Sequence, residues 1–130
     1  MAITHKTAIE GIDCTVYLVK DLDRALKFWR DTMGLTVTQE YPGDTGAEFS
    51  FSDDTTFSLY KMADGTWHPG SGIMFRVPDI ASAVEHFKAR GVAFEQFEGQ
   101  QHVLDTPVCS MAFAKDSEGN DFMLHERKAD

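Results

Sequence analysis

The sequence predicts an α+β fold made of two βαβββ modules in tandem. Three observations carry this. A strand–turn–helix unit occurs twice at an offset of 58, so that Asp21, Leu22, Ala25, Leu26 and Trp29 return as Asp79, Ile80, Ala83, Val84 and Phe87. After each unit come stretches whose side chains alternate with a period of two, the mark of strands. Between the halves lies a Gly- and Pro-rich joint, Asp64-Gly65-Thr66-Trp67-His68-Pro69-Gly70-Ser71-Gly72.

Each element has a local reason. Residues 1–10 read as a polar leader and residues 11–19 as the first strand. Asp21 is placed to cap a helix over 22–33, because its carboxylate can accept from first-turn N–H groups. Leu22, Ala25, Leu26, Trp29 and Met33 form one apolar stripe, and Gly34 supplies the left-handed stop. A strand is expected over 35–41 and a turn over 42–46. A hairpin of strands 47–52 and 55–61 follows, turning at Asp53-Asp54. The second module repeats the order: strand 72–77, a helix from Ile80 to a stop at Gly91, and strands 92–97, 110–115 and 121–125. Residues 98–107 form the longest polar connection, and residues 127–130 a charged tail.

A chain of 130 residues with 42% hydrophobic content implies one domain with a real core, placed at residues 10–128 with modules at 10–64 and 72–128. Halves this small are expected to share a sheet or exchange between protomers. Open sheet edges point to a homodimer. The net charge of −9 argues against nucleic acid and anionic membrane as partners. No apolar run reaches transmembrane length, and the first residues lack the apolar core of a signal peptide. Cys14 and Cys109 form no CxxC pair, so reduced thiols and a cytoplasmic setting are expected.

Val19-x-Asp21-Leu22, Phe28-Trp29-Arg30-Asp31 and Gly34-Leu35, then Val77-x-Asp79-Ile80 and Gly91-Val92, then Asp116-Ser117-Glu118-Gly119-Asn120, stand in this order over residues 10–126. Paired modules with these signatures resemble the vicinal oxygen chelate superfamily, which includes glyoxalase I, extradiol dioxygenases, and fosfomycin- and bleomycin-resistance proteins. Ser117 departs from the Pro usual there. The resemblance implies a curled mixed sheet around a cavity, with helices on the outer face. It also implies, in the family's enzymes, a divalent metal held by His or Glu from four strands. Those positions fall on Cys14, Ser58, Gly72 and Met123. Only one is a donor of any strength, so no metal and no cofactor are expected.

Strand parity, taken from those positions, directs Cys14, Val16, Leu18, Thr56, Ser58 and Tyr60 of the first half into the cavity, and Met74, Arg76, Met123 and His125 of the second. Such a lining suits an organic molecule of moderate size. Arg76 is either a clamp on a ligand anion, or a structural ion pair, or a rim residue in water. His125 is a proton donor or merely half-exposed, and Cys14 a reactive thiol or a small hydrophobe. Trp67 and His68 of the joint are an aromatic lid or local packing. Phe49 and Phe51 read as core. The reading favoured is a non-catalytic small-molecule binder, similar to the bleomycin-resistance branch, whose members bind a drug without metal at these positions. The alternatives are a lyase, isomerase or dioxygenase using relocated ligands from Cys14, His102, His125 and nearby carboxylates, and a protein–protein module.

Overall fold

The computed structural model describes residues 8–128. Residues 1–7 of the expected leader and the last two residues of the charged tail lie outside them. Eight strands are present: β1 (Thr15–Leu18), β2 (Val37–Tyr41), β3 (Gly46–Ser50), β4 (Thr56–Tyr60), β5 (Ile73–Arg76), β6 (Leu104–Asp105), β7 (Cys109–Lys115) and β8 (Asp121–Arg127). They form two four-stranded sheets, ordered β1-β4-β3-β2 and β5-β8-β7-β6. In each, the first and last strands of the module run parallel and the remaining pairs antiparallel. The repeat read in the sequence is therefore a repeat of topology. Each module keeps its own sheet, and the two are not closed into one wall.

Helix α1 (Leu22–Leu26) is capped by Asp21, whose carboxylate accepts from the Arg24 N–H, and α2 (Ile80–Ala89) by Asp79 in the same way. The first helix does not stay α-helical. It widens into a π-helical segment, Lys27–Thr32, ending where the Met33 N–H reaches back five residues to the Phe28 carbonyl.

Three strand readings need correction. The first strand begins only at Thr15, and the second-module strand at Ile73, because Gly72 takes φ +98, outside extended backbone. Residues 92–97 are not a strand. Toward β7 they make an isolated bridge, Phe94 to Ala114, with the Glu95 N–H donating to the Phe113 carbonyl. Val92 and Phe94 are buried, as their alternation implied. The chain then leaves the sheet through a 3-10 turn at Glu98–Gln100, with Gly99 in the left-handed region. It returns as β6, inside the stretch read as a polar loop.

The strand residues that alternate with those directed into the cavity form the core. Tyr17, Val19, Phe57, Leu59, Phe122 and Leu124 are buried, and Ile73, Phe75 and Val77 pack partly against them. Trp29 from the π-helical segment joins the modules: its ring stands edge-on to Phe57 at 4.9 Å and Phe122 at 5.0 Å, and tilts against Phe75 at 5.4 Å. The β7–β8 turn completes the joint by crossing to the first module. Asp116 accepts the Trp29 indole N–H at 3.1 Å, and the Asn120 amide donates to the Leu18 carbonyl. Glu118 accepts the N–H groups of Lys20 and Asp21 and pairs with Arg24 at 2.6 Å. The Tyr17 hydroxyl donates to the Asp121 carbonyl and accepts from the Ile73 N–H, so a side chain holds the edge of β5.

Candidate functional site

The face of each sheet turned away from the core carries the residues singled out by parity. In the first sheet, Val16, Ser58, Glu48 and Gln39 lie side by side across the four strands. The next row is Leu18, Tyr60, Gly46 and Tyr41. Gly46 is required there. A Cβ would fall on the Leu59 carbonyl oxygen and come 2.8 Å from Cδ2 of Tyr41. With no side chain beneath it, the Tyr41 ring lies across the strand and its hydroxyl reaches Ser58 Oγ at 2.8 Å. Ser58, only 1% exposed, also meets Cys14 Sγ at 3.1 Å, and the Tyr41 hydroxyl donates to Glu48 Oε2 at 3.5 Å. The result is a hydrogen-bonded chain, thiol to hydroxyl to phenol to carboxylate, across the wall. Tyr60 stands beside it, its ring 6.4 Å from that of Tyr41.

The second sheet presents a different surface. Met74, Met123 and Phe113 form one row, and Arg76, His125, Met111 and Leu104 the next. Phe97, on the excursion before β6, packs edge-on to Phe113 at 5.7 Å. Three thioethers and two aromatic rings make this wall apolar and adaptable in shape.

The structure thus gathers Cys14, Val16, Ser58 and Tyr60 on one wall and Met74, Arg76, Met123 and His125 on another. Arg76 takes the setting of two of its readings, an ion pair at an exposed rim. It is not buried over the sheet: its side chain is 70% exposed and pairs with Asp53 of the β3–β4 turn at 3.1 Å. Trp67 sits half-buried in the joint, its indole nitrogen buried without a hydrogen-bond partner among the described residues, while His68 is exposed. Phe49 is core, as read, and Phe51 is half-buried. Sequence reasoning missed Tyr41, Glu48, Met111 and Phe113. Alternation in β3 and β7 could have found three of them: Phe49 and Ala112 belong to the core, so Glu48, Met111 and Phe113 must face the other way.

The four positions that hold metal in the family's enzymes do not fit one here. Cys14 Sγ is engaged with Ser58 Oγ, a weak neutral ligand. Gly72 has no side chain and precedes β5, and Met123 offers a thioether that prefers soft metals. Among the described residues, no three His, Cys, Asp or Glu side chains come together as a metal-holding group. His102 turns its ring to the Glu95 carbonyl at 3.3 Å, within the excursion. No helix of the described residues is long and apolar enough to cross a membrane.

Comparison with known proteins places this architecture. Residues 11–124 match the family described as Glyoxalase/Bleomycin resistance protein/Dioxygenase superfamily. The uncharacterized protein YetH of Bacillus subtilis is 26% identical over 126 residues, covering 91% of this chain and 99% of that protein. Among solved structures, TnmS3, an antibiotic binding protein from Streptomyces sp. CB03234, superposes with a TM-score of 0.77 at 21% identity, covering 94% of this chain and 99% of that one. A lactoylglutathione lyase from Agrobacterium tumefaciens gives 0.72 at 22% identity, covering 92% and 96%.

Proposed function

The chain belongs to the Glyoxalase/Bleomycin resistance protein/Dioxygenase superfamily, and from that premise we propose that it is a small-molecule binding protein without the superfamily's metal chemistry. One observation carries the reading. Where an enzyme of the family needs converging imidazoles and carboxylates, this chain has Cys14 hydrogen-bonded to Ser58, a glycine and a thioether. A thiol, a hydroxyl and a thioether do not offset the dehydration of a zinc-like ion. The same positions serve a binder well. The Tyr41 hydroxyl, held by the buried Ser58, and the Glu48 carboxylate offer directional polar groups to one edge of an organic molecule, and the Met and Phe wall offers a soft apolar surface to its body. Likeness to a fold that in TnmS3 binds an antibiotic supports this reading.

Val16 and Met74 are 52% and 43% exposed on the two walls, an unusual position for large apolar side chains of a binding surface in a single chain. A second copy bringing one wall opposite the other would enclose the ligand and cover them. Mass spectrometry of denatured protein, purified without chelators, is expected to release a co-purified organic molecule. Calorimetry with Zn²⁺ is expected to show no stoichiometric heat. About one equivalent of tightly held metal, lost on Cys14→Ala or His125→Ala, would instead identify an enzyme with relocated ligands.

A further inference from the structure

A further cleft is lined by core and turn residues and shares Thr56, Met74 and Arg76 with the sheet faces just described. It has a volume of about 640 Å³ and opens between the edge strands β1 and β5, on the side of the helices. That volume is in the range of small-molecule sites. Its floor is Trp29, Phe57 and Leu124 of the core, with the half-buried Phe75 beside them.

The internal repeat shows why the cleft is open. An offset of 65 carries Phe51, Asp53 and Thr55 onto Asp116, Glu118 and Asn120, and an offset of 58 carries Trp29 onto Phe87. On the Asp116 side the chain fills the crevice with its own polar side chains, which lock Trp29, cap α1 and hold the Leu18 carbonyl. On the other side the same positions hold Phe51, Thr55 and the half-buried Phe87, and these line the cleft without closing it. Asp53 turns back on its own loop, accepting the Thr55 N–H at 3.1 Å and the Thr55 hydroxyl at 2.6 Å. The fold builds two related crevices and plugs one.

At the mouth stands Arg76. It commits one N–H to Asp53, a carboxylate already held by Thr55, and a guanidinium has five N–H donors. The geometry points to a second binding site in this cleft, for a small organic anion whose apolar body lies against Phe51, Phe75 and Phe87 and whose carboxylate or sulfonate is held by Arg76. Arg76 is the one cationic side chain among the residues lining this cleft, so an anion entering it settles there. This site does not depend on the function proposed for the sheet walls.

The probe is 8-anilinonaphthalene-1-sulfonate, with N-phenyl-1-naphthylamine as its uncharged analogue, titrated into the full-length protein and mapped by amide NMR shifts. Saturable binding is expected, with shifts at Phe51, Thr55, Phe75 and Phe87. Arg76→Gln is expected to weaken the sulfonate about tenfold or more and to leave the neutral analogue nearly unchanged, because it removes only a charge-assisted bond. Leu35→Trp, which fills the cleft, is expected to abolish binding of both. Absence of saturable binding, or equal sulfonate affinity in Arg76→Gln, would overturn the proposal. Shifts confined to Tyr41, Ser58 and Met123 would overturn it too, while leaving the wall site standing. If Leu35→Trp does not fold, Arg76→Gln decides alone, since that side chain is exposed.

Discussion

At the scale of single residues, two side chains carry much of what is specific to this protein. Asp116 accepts four hydrogen bonds: the Trp29 indole, the backbone N–H groups of Glu118 and Asn120, and the Asn120 amide. All lie in the interior, so deleting the carboxylate strands buried donors. Asp116→Ala is expected to cost roughly 3 kcal/mol in a urea titration. Asp116→Asn should recover only part, because an amide nitrogen cannot accept from Trp29 or Asn120. Tyr41 is the corresponding residue for binding. Tyr41→Phe keeps the ring over Gly46 and removes only the hydroxyl that meets Ser58 and Glu48. Stability should change by less than about 1 kcal/mol, whereas affinity for the co-purified ligand should fall measurably by calorimetry. Unchanged affinity would remove Tyr41 from the site.

At the scale of elements, the β7–β8 turn and α1 act as one unit. Glu118 closes the N-terminus of α1 from the opposite module, an acceptor where the helix dipole favours negative charge. Burial alone would raise its pKa. The Arg24 guanidinium and the N–H groups of Asp21 and Lys20 together outweigh burial, and the carboxyl is held below its ordinary 4.5. The unfolded chain therefore takes up this proton first as pH falls. The stabilisation is present above about pH 4.5 and is lost as pH drops through the lower folded value. Glu118→Gln should melt earlier than wild type at pH 7, and the difference should shrink as the buffer is taken below 4.5. A gap that stays constant down to pH 3 (about a unit and a half below the ordinary value) would show that the carboxylate's charge plays no part.

At the scale of the whole molecule, apolar side chains stand in water where a single chain has no use for them. Ile12 is 93% exposed and Val108 72%, in addition to those on the walls. A second copy is the expected cover. Sedimentation velocity at tens of micromolar, above typical dimer dissociation constants, should give a dimer. Ile12→Asp and Val108→Asp should shift it toward monomer without lowering the unfolding midpoint of the monomer. A wild-type monomer at that concentration would refute the expectation.

The sequence by itself determined whatever is set by near neighbours along the chain. The two capped helices, the period of the strands and the repeat came from local rules, and so did the division of Tyr17, Phe57 and Phe122 from Val16, Ser58 and Met123. The poverty of donors at Cys14, Ser58, Gly72 and Met123 was legible because a ligand set depends on residue type as well as place. Tertiary structure decided what depends on partners far apart in sequence. Alternation in residues 92–97 reported burial but could not report that Gly99 would break the ladder and that Leu104 and Asp105 would pair with β7 instead. The ion pair weighed for Arg76 could not be given a partner, because Asp53 reaches it only when the two modules pack. The repeat could not say which of two equivalent crevices would be filled. That followed from Asp116 and Asn120 meeting Trp29 and Leu18 across the joint, while at the matching positions Phe51 is apolar and the Thr55 hydroxyl is engaged by Asp53 of its own turn.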